Sequence, residues 1–179
     1  MLKKVKIIDI SLSNLGFVIF LKPDDDDKTL PIFIGVPEAQ AIAVQHNKLK
    51  TPRPLTHDLF KSFLDLLDCK LHHVIVTDLI DTTYYAKIYF EQAEEKYMVD
   101  ARPSDAIALA LRFEAPIYVD DQVLEKSAIP VEYNVKKEEA TKKTQLEILQ
   151  EQLQSAITDE RYEEAARLRD EIKKFTENN

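Results

Sequence analysis

Three polar groups in this chain of 179 residues have side chains suited to phosphodiester chemistry. Glu38 and Gln40 follow Pro37, "RPLTHD" gathers Arg53 and Thr56 to Asp58, and "VDARPSDAIALALR" sets Asp100, Arg102, Ser104 and Asp105 around Pro103. Carboxylates such as Glu38, Asp58, Asp100 and Asp105 can hold a hard divalent ion, Mg²⁺ or Mn²⁺, which lowers the pKa of a bound water and neutralises phosphate charge. Glu38, Asp100 and Asp105 form the expected metal set. His57, paired with Asp58, then serves as general base, Arg53 or Arg102 clamps the scissile phosphate, and Ser104 completes the expected catalytic set. All three groups lie where the chain enters a helix, and helix N-termini offer unpaired N–H groups to anions. Each also has a plain structural reading: Thr56 to Asp58 as a cap with surface polar residues, and Glu38 in the first copy and Ser104 with Asp105 in the second as groups suited to the positive end of a helix dipole. Arg102 is left over, because a positive charge is disfavoured at that end of a helix.

The elements that would position these groups follow from hydrophobic patterning. Strands are expected at 4–11, 16–21, 30–34, 72–79, 83–90, 96–99 and 116–119, all rich in Val, Ile, Tyr and Phe. Helices are expected at 37–47, 57–68 and 103–113. The middle one carries a stripe of Leu59, Phe60, Phe63, Leu64 and Leu67 behind Thr56 as N-cap, the pattern of a core-facing helix. His72 and His73 are adjacent on a strand and point to opposite faces, so they cannot share a metal. The four aspartates Asp24 to Asp27 read as a solvated hairpin tip.

A repeat organises these elements. "IFIGVPEAQAIAVQ" (32–45) and "YMVDARPSDAIALA" (97–110) share a strand, a polar step, a proline-led turn and Ala-Ile-Ala, and each follows two β-runs joined by an acidic loop. The expected fold is α+β: duplicated β-β-β-α units forming one mixed sheet or open barrel, with a C-terminal α-helical hairpin. The pattern changes near Lys136, which divides the chain into 1–135 and 136–179.

Composition bounds the partners. Net charge is −8, with 15 basic against 21 acidic residues in 1–135 and 9 against 11 in 136–179, so no basic footprint for nonspecific duplex binding is visible. Two glycines exclude phosphate-cradling Gly-rich loops and G-x-S-x-G elbows, and imply turns built on Asn, Asp and the eight prolines. The lone Cys69 excludes an intramolecular disulfide and points to a reducing compartment. With no signal peptide and no membrane span, the sequence reads as cytoplasmic.

"LPIFIGVPEAQAIA", "RPLTHDL" and "VDARPSDAIALALR...PIYV" resemble the signatures of the bifunctional nuclease family, α+β domains whose plant members are described as degrading both DNA and RNA. That resemblance covers most of 1–135 and points to Glu38, Arg53, His57, Asp58, Arg102, Ser104 and Asp105. In the tail, Leu146, Leu149, Leu153 and Ile157 mark one helical stripe and Ala165, Leu168, Ile172 and Phe175 another. "LQSAITDERYEEAARLRDEIK" is similar to the UVR motif of excinuclease subunits, which implies a protein partner held through 144–176 by Tyr162, Ala165, Ala166, Leu168 and Arg169. Two functions are therefore expected. One is a metal-assisted nuclease acting on RNA and DNA with low sequence preference. The other is a noncatalytic ligand- or protein-binding regulator whose hairpin docks a repair or proteolysis partner. Exposed sheet edges and the helical tail further suggest a homo-oligomer.

Overall fold

The computed structural model describes residues 1–13, 16–130, 149, 153 and 167–172. By its internal contacts the chain separates into two units, 1–130 and 131–179. In the first unit the expected duplication appears as two antiparallel meanders. β1 (Leu2–Ser13), β2 (Gly16–Pro23) and β3 (Lys28–Ile34) lead into α1 (Val36–His46), while β4 (Lys70–Ile80), β5 (Thr83–Gln92) and β6 (Glu95–Ala101) lead into α3 (Pro103–Phe113). Between the two units of the repeat lies α2 (Thr56–Leu66), and after α3 come β7 (Ile117–Asp120), α4 (Asp121–Ser127) and β8 (Ile129–Pro130).

One open, mixed, eight-stranded sheet results, ordered β6-β5-β4-β7-β1-β2-β3-β8. β7 joins the meanders, parallel to β4 and antiparallel to β1, so the order reads outward symmetrically from the centre. α1 packs on α3, and α3 on α2, β4 and β5. The core gathers Ile19, Leu21 and Leu30 from the first meander, Val74 and Val76 from the second, and Ile42, Ile107 and Val119. α3 is the most enclosed helix: Ala106, Ala108 and Ala110 are essentially inaccessible, and such small side chains let neighbouring elements approach closely.

The "DDDD" stretch is a hairpin tip, where Asp24, Asp25 and Asp27 face Lys6, Lys3 and Lys22 respectively. His72 and His73 are structural: His72 Nε2 lies 2.8 Å from Glu91, and His73 stacks on Tyr89 with ring centres 4.4 Å apart. α4 and β8 were not expected; α4 is short, but Asp120 caps it by accepting the Gln122 amide at 3.0 Å.

Three expectations are corrected. α2 does not bury its apolar stripe: of that set only Leu64 is buried, while Leu59, Phe60, Phe63 and Leu67 are exposed, with Leu66 beside them 84% accessible. The helix is held instead through Leu64 and through polar side chains of its first turn, which rolls the stripe outward. Its N-cap is Leu55 rather than Thr56, because the Asp58 carboxylate reaches back to accept the Leu55 amide at 2.8 Å. Turns rely on Asn, Asp and Pro only in part: Lys48, Ala93, Glu94 and Glu114 join Asp68 and Asp81 at positive φ. Ala93–Glu94 is the two-residue link between β5 and β6, where the strand twist favours positive φ at both positions whatever the residue type.

Candidate functional site

The first turns of all three expected helices supply one charged group. α1 brings Glu38, α2 brings His57 and Asp58, and α3 brings Asp105 with its N-cap residue Arg102. Arg102 donates from Nε to Asp105 Oδ2 at 2.6 Å and from Nη2 to Oδ1 at 3.0 Å, a bidentate pair. Its Nη1 lies 2.9 Å from Glu38 Oε1. His57 Nε2 stands 3.4 Å from Asp105 Oδ1, so Glu38, Arg102, Asp105 and His57 form one chain of contacts across three segments.

The two carboxylates explain why an arginine tolerates the positive end of α3. Asp105, followed by Glu38, raises the guanidinium's pKa still further, since both stabilise its charged form. Burial alone would raise the Asp105 carboxyl, but Arg102 and then His57 outweigh it and hold the group below the usual carboxylate range. An ionised Asp105 can only accept, so the proton on that contact belongs to His57 Nε2, and a neutral ring then carries its basic lone pair on Nδ1.

Behind this group lies a residue the sequence reading missed. Arg112, 6% exposed near the end of α3, donates from Nε to Asp58 Oδ1 at 2.5 Å and from Nη1 to the carbonyl oxygens of Ala41 and Ala108 at 3.2 and 2.8 Å. It thus fixes α2 and α1 to α3. Burial would raise Asp58, yet the Leu55 amide and the Arg112 guanidinium together keep it below its ordinary value. Arg112 Nη2 is buried without a hydrogen-bond partner. The available signal was an arginine four residues after Ala108 and seven after Asp105, which places it on the helix face that turns inward.

The remaining expected residues stand apart. Asp100 is exposed on β6 opposite Lys87, Arg53 is exposed in the loop before α2, and Ser104 is buried in the first turn of α3 outside the ion-pair chain. Cys69 sits beyond α2 with its thiol pKa raised by burial, which suits an inert side chain. Among the described residues no three of His, Cys, Asp and Glu are grouped to hold a metal. Glu38 and Asp105 converge instead on a guanidinium, so in this arrangement the expected ligands do not fit a resident divalent ion. Tyr162, Ala165 and Ala166 lie outside the described residues. Residues 167–172 are helical, with Arg169 paired to Asp170 at 3.3 Å.

A duplicated α+β sheet that brings three helix starts onto one arginine–carboxylate–histidine chain defines the class. The chain belongs to the bifunctional nuclease domain family, whose model matches residues 19–132. A UvrB/uvrC motif matches residues 143–176. The chain is 38% identical over 145 residues to an uncharacterized protein of Mycobacterium tuberculosis (Rv1829), covering 80% of this chain and 87% of that one. It is 24% identical over 180 residues to bifunctional nuclease 1 of rice (Oryza sativa subsp. indica) and 25% over 182 residues to bifunctional nuclease 2 of Arabidopsis thaliana, covering 88% of this chain in each case. The matched regions are 54% and 55% of those plant proteins, so this chain spans about half their length. Among the described residues no helix is long and apolar enough to cross a membrane.

Proposed function

We propose that the first unit hydrolyses phosphodiester bonds of RNA and DNA with low sequence preference, at the chain formed by Glu38, Arg102, Asp105 and His57. The observation that carries this reading is Asp105 held between a histidine and an arginine that come from different helices, the arrangement in which one carboxylate orients a base and an electrophile together. Arg102 has five N–H donors, of which three are engaged, leaving two for a phosphate oxygen on a side chain 65% exposed. His57 takes a proton from the attacking water as its oxygen bonds to phosphorus. The bond from phosphorus to the leaving oxygen breaks, and the same proton returns to that oxygen. A phosphate drawn onto Arg102 competes with Asp105 and Glu38, which ties binding to local loosening of the ion pairs. The family membership and the names of the plant relatives support nucleic acid as the substrate.

The test is cleavage of single-stranded RNA and DNA by the purified chain in Mg²⁺, in Mn²⁺ and in EDTA, beside His57→Ala and Asp105→Asn. Cleavage that survives EDTA and falls at least about a hundredfold in both variants supports the arginine-assisted reading, since removing a positioned acid or base costs about that much. Cleavage that requires Mg²⁺ or Mn²⁺ would overturn the arginine-assisted reading. The absence of cleavage in every condition, or cleavage indifferent to both substitutions, would defeat the assignment.

The 143–176 motif match carries a second reading, that this segment docks a protein partner. Deleting 136–179 should then abolish capture of that partner while the first unit keeps its fold.

A further inference from the structure

The helix layer stops short of one sheet edge. β6 is the last strand, and its cross-strand pairs are Ala86–Ala101, Ile88–Val99 and Phe90–Tyr97. Ala86, Ile88 and Phe90 are buried, so Tyr97 and Val99 point to the same, helix-bearing face, yet they remain 45% and 49% accessible. The C-terminal end of α2 reaches this margin. The Gln92 side chain at the end of β5 donates to the Leu67 carbonyl oxygen at 2.8 Å, and Cys69 is near enough to the Tyr97 hydroxyl to act on it electrostatically. An outermost strand whose alternate residues are apolar and half in water, with no further strand beside it among the described residues, is a surface built to be covered.

The strand itself indicates what covers it. β6 reads Glu-Lys-Tyr-Met-Val-Asp-Ala from Glu95 to Ala101. Placed antiparallel to an identical strand about a two-fold axis at Met98, Lys96 of each copy faces Asp100 of the other, and Tyr97 faces Val99. Neither Lys96 nor Asp100 has an ion-pair partner within its own chain among the described residues. We propose that two copies of this chain associate through β6, continuing the sheet across the two-fold with reciprocal Lys96–Asp100 pairs and with Tyr97 of each copy against Val99 of the other on the helix-bearing face. The proposal gives Asp100, which lies outside the ion-pair chain, an interfacial role.

Sedimentation equilibrium of the full chain should show a dimer. Lys96→Glu replaces two attractions with two repulsions and should raise the dissociation constant on the order of ten- to a hundredfold, whereas Lys96→Glu/Asp100→Lys restores opposite charges and should return it close to the starting value. In a Cys69→Ser background, Met98→Cys should oxidise rapidly to a disulfide-linked dimer, because residues paired on the axis lie about 4.5–5.5 Å apart between Cα atoms. Tyr97→Cys, staggered to about 8 Å in this register, should link far more slowly. Far-ultraviolet circular dichroism checks that each variant is folded. A monomeric wild type, a dimer unchanged by Lys96→Glu, a charge swap that does not restore association, or Met98→Cys that fails to cross-link would each overturn the proposal. Association persisting in folded Lys96→Glu would assign self-assembly to another surface, residues 136–179 included.

Discussion

The two helix starts of the repeat share a scaffold and differ in charge. α1 begins at Gly35 as N-cap with Pro37 in its first turn, and α3 at Arg102 with Pro103. Each uses proline where a missing N–H costs nothing, each carries an acid in its first turn, and each continues into Ala-Ile-Ala. Only the second puts a guanidinium at the cap, and the carboxylate of the first start turns toward it. α1 buries three of its residues and α3 eight, because α3 packs against both α1 and α2 and over β4 and β5. Duplication thus supplied two equivalent frames. Position made one of them the meeting point for three helices, and there a buried arginine, an exposed arginine and three carboxylates can balance one another.

The sharpest way to break that asymmetry is to remove its anchor. Arg112→Ala leaves Asp58 without its buried partner and the Ala41 and Ala108 carbonyls without their donor, and loss of one member of a buried pair costs about 3 kcal/mol or more. For a unit of this size that lowers Tm by roughly 10 °C, measured by thermal unfolding. The corresponding residue of the first copy, Asn47 at the C-cap of α1, holds no such buried ion pair, so Asn47→Ala should change Tm by only a degree or two.

Acidity tests the same contrast. Asp58 and Asp105 have folded pKa values lowered from those of the unfolded chain, so they stabilise the fold above the ordinary aspartate range, near pH 4, and lose that contribution as pH falls through their folded values. The Tm difference between wild type and Asp58→Asn should hold steady from pH 7 to pH 5 and narrow below about pH 4. A gap that widened on acidification would contradict the assigned ion pair.

A smaller change sharpens the role of the first copy. A side chain at Gly35 would collide with the Glu38 carboxylate, so Gly35→Ala should push that carboxylate away from Arg102 while leaving the bidentate Asp105 contact. Nuclease rates should change only a few-fold, since one charge-assisted contact of three is lost and its carboxylate would otherwise compete with substrate. A hundredfold change would mean Glu38 acts directly in the chemistry.

The smallest effect lies away from the site. Ala93→Asn/Glu94→Gly fits the positive φ of the β5–β6 link and should add about 1 kcal/mol by relieving it, raising Tm without altering cleavage.

Much of this was legible in the chain of letters. Seven strands and three helices follow from β-rich runs and helical spacing, and the internal repeat predicts a symmetric sheet because a three-strand unit with one helix cannot bury both of its faces. The polar groups around Glu38, His57 and Arg102 were also readable, since proline-led helix starts advertise themselves. Periodicity reports how apolar residues are spaced, not where a helix is turned, and so the α2 stripe was read as core when Arg112 and Leu64 roll it outward. Positive φ at Lys48, Ala93 and Glu114 escaped for a related reason: strand twist and helix ends impose it against residue preference.

The sequence by itself determined the elements other than α4 and β8, the duplication, and the reason Arg102 and Asp105 stand out from Pro37 and Gln40 at the equivalent positions of the first copy. Tertiary structure alone decided that Glu38, His57, Arg102 and Asp105 meet while Asp100 and Arg53 do not, and that Arg112 holds three helices together. Spacing along a chain fixes which residues share a face. Only packing sets residues from distant segments within the few ångströms at which charges pair.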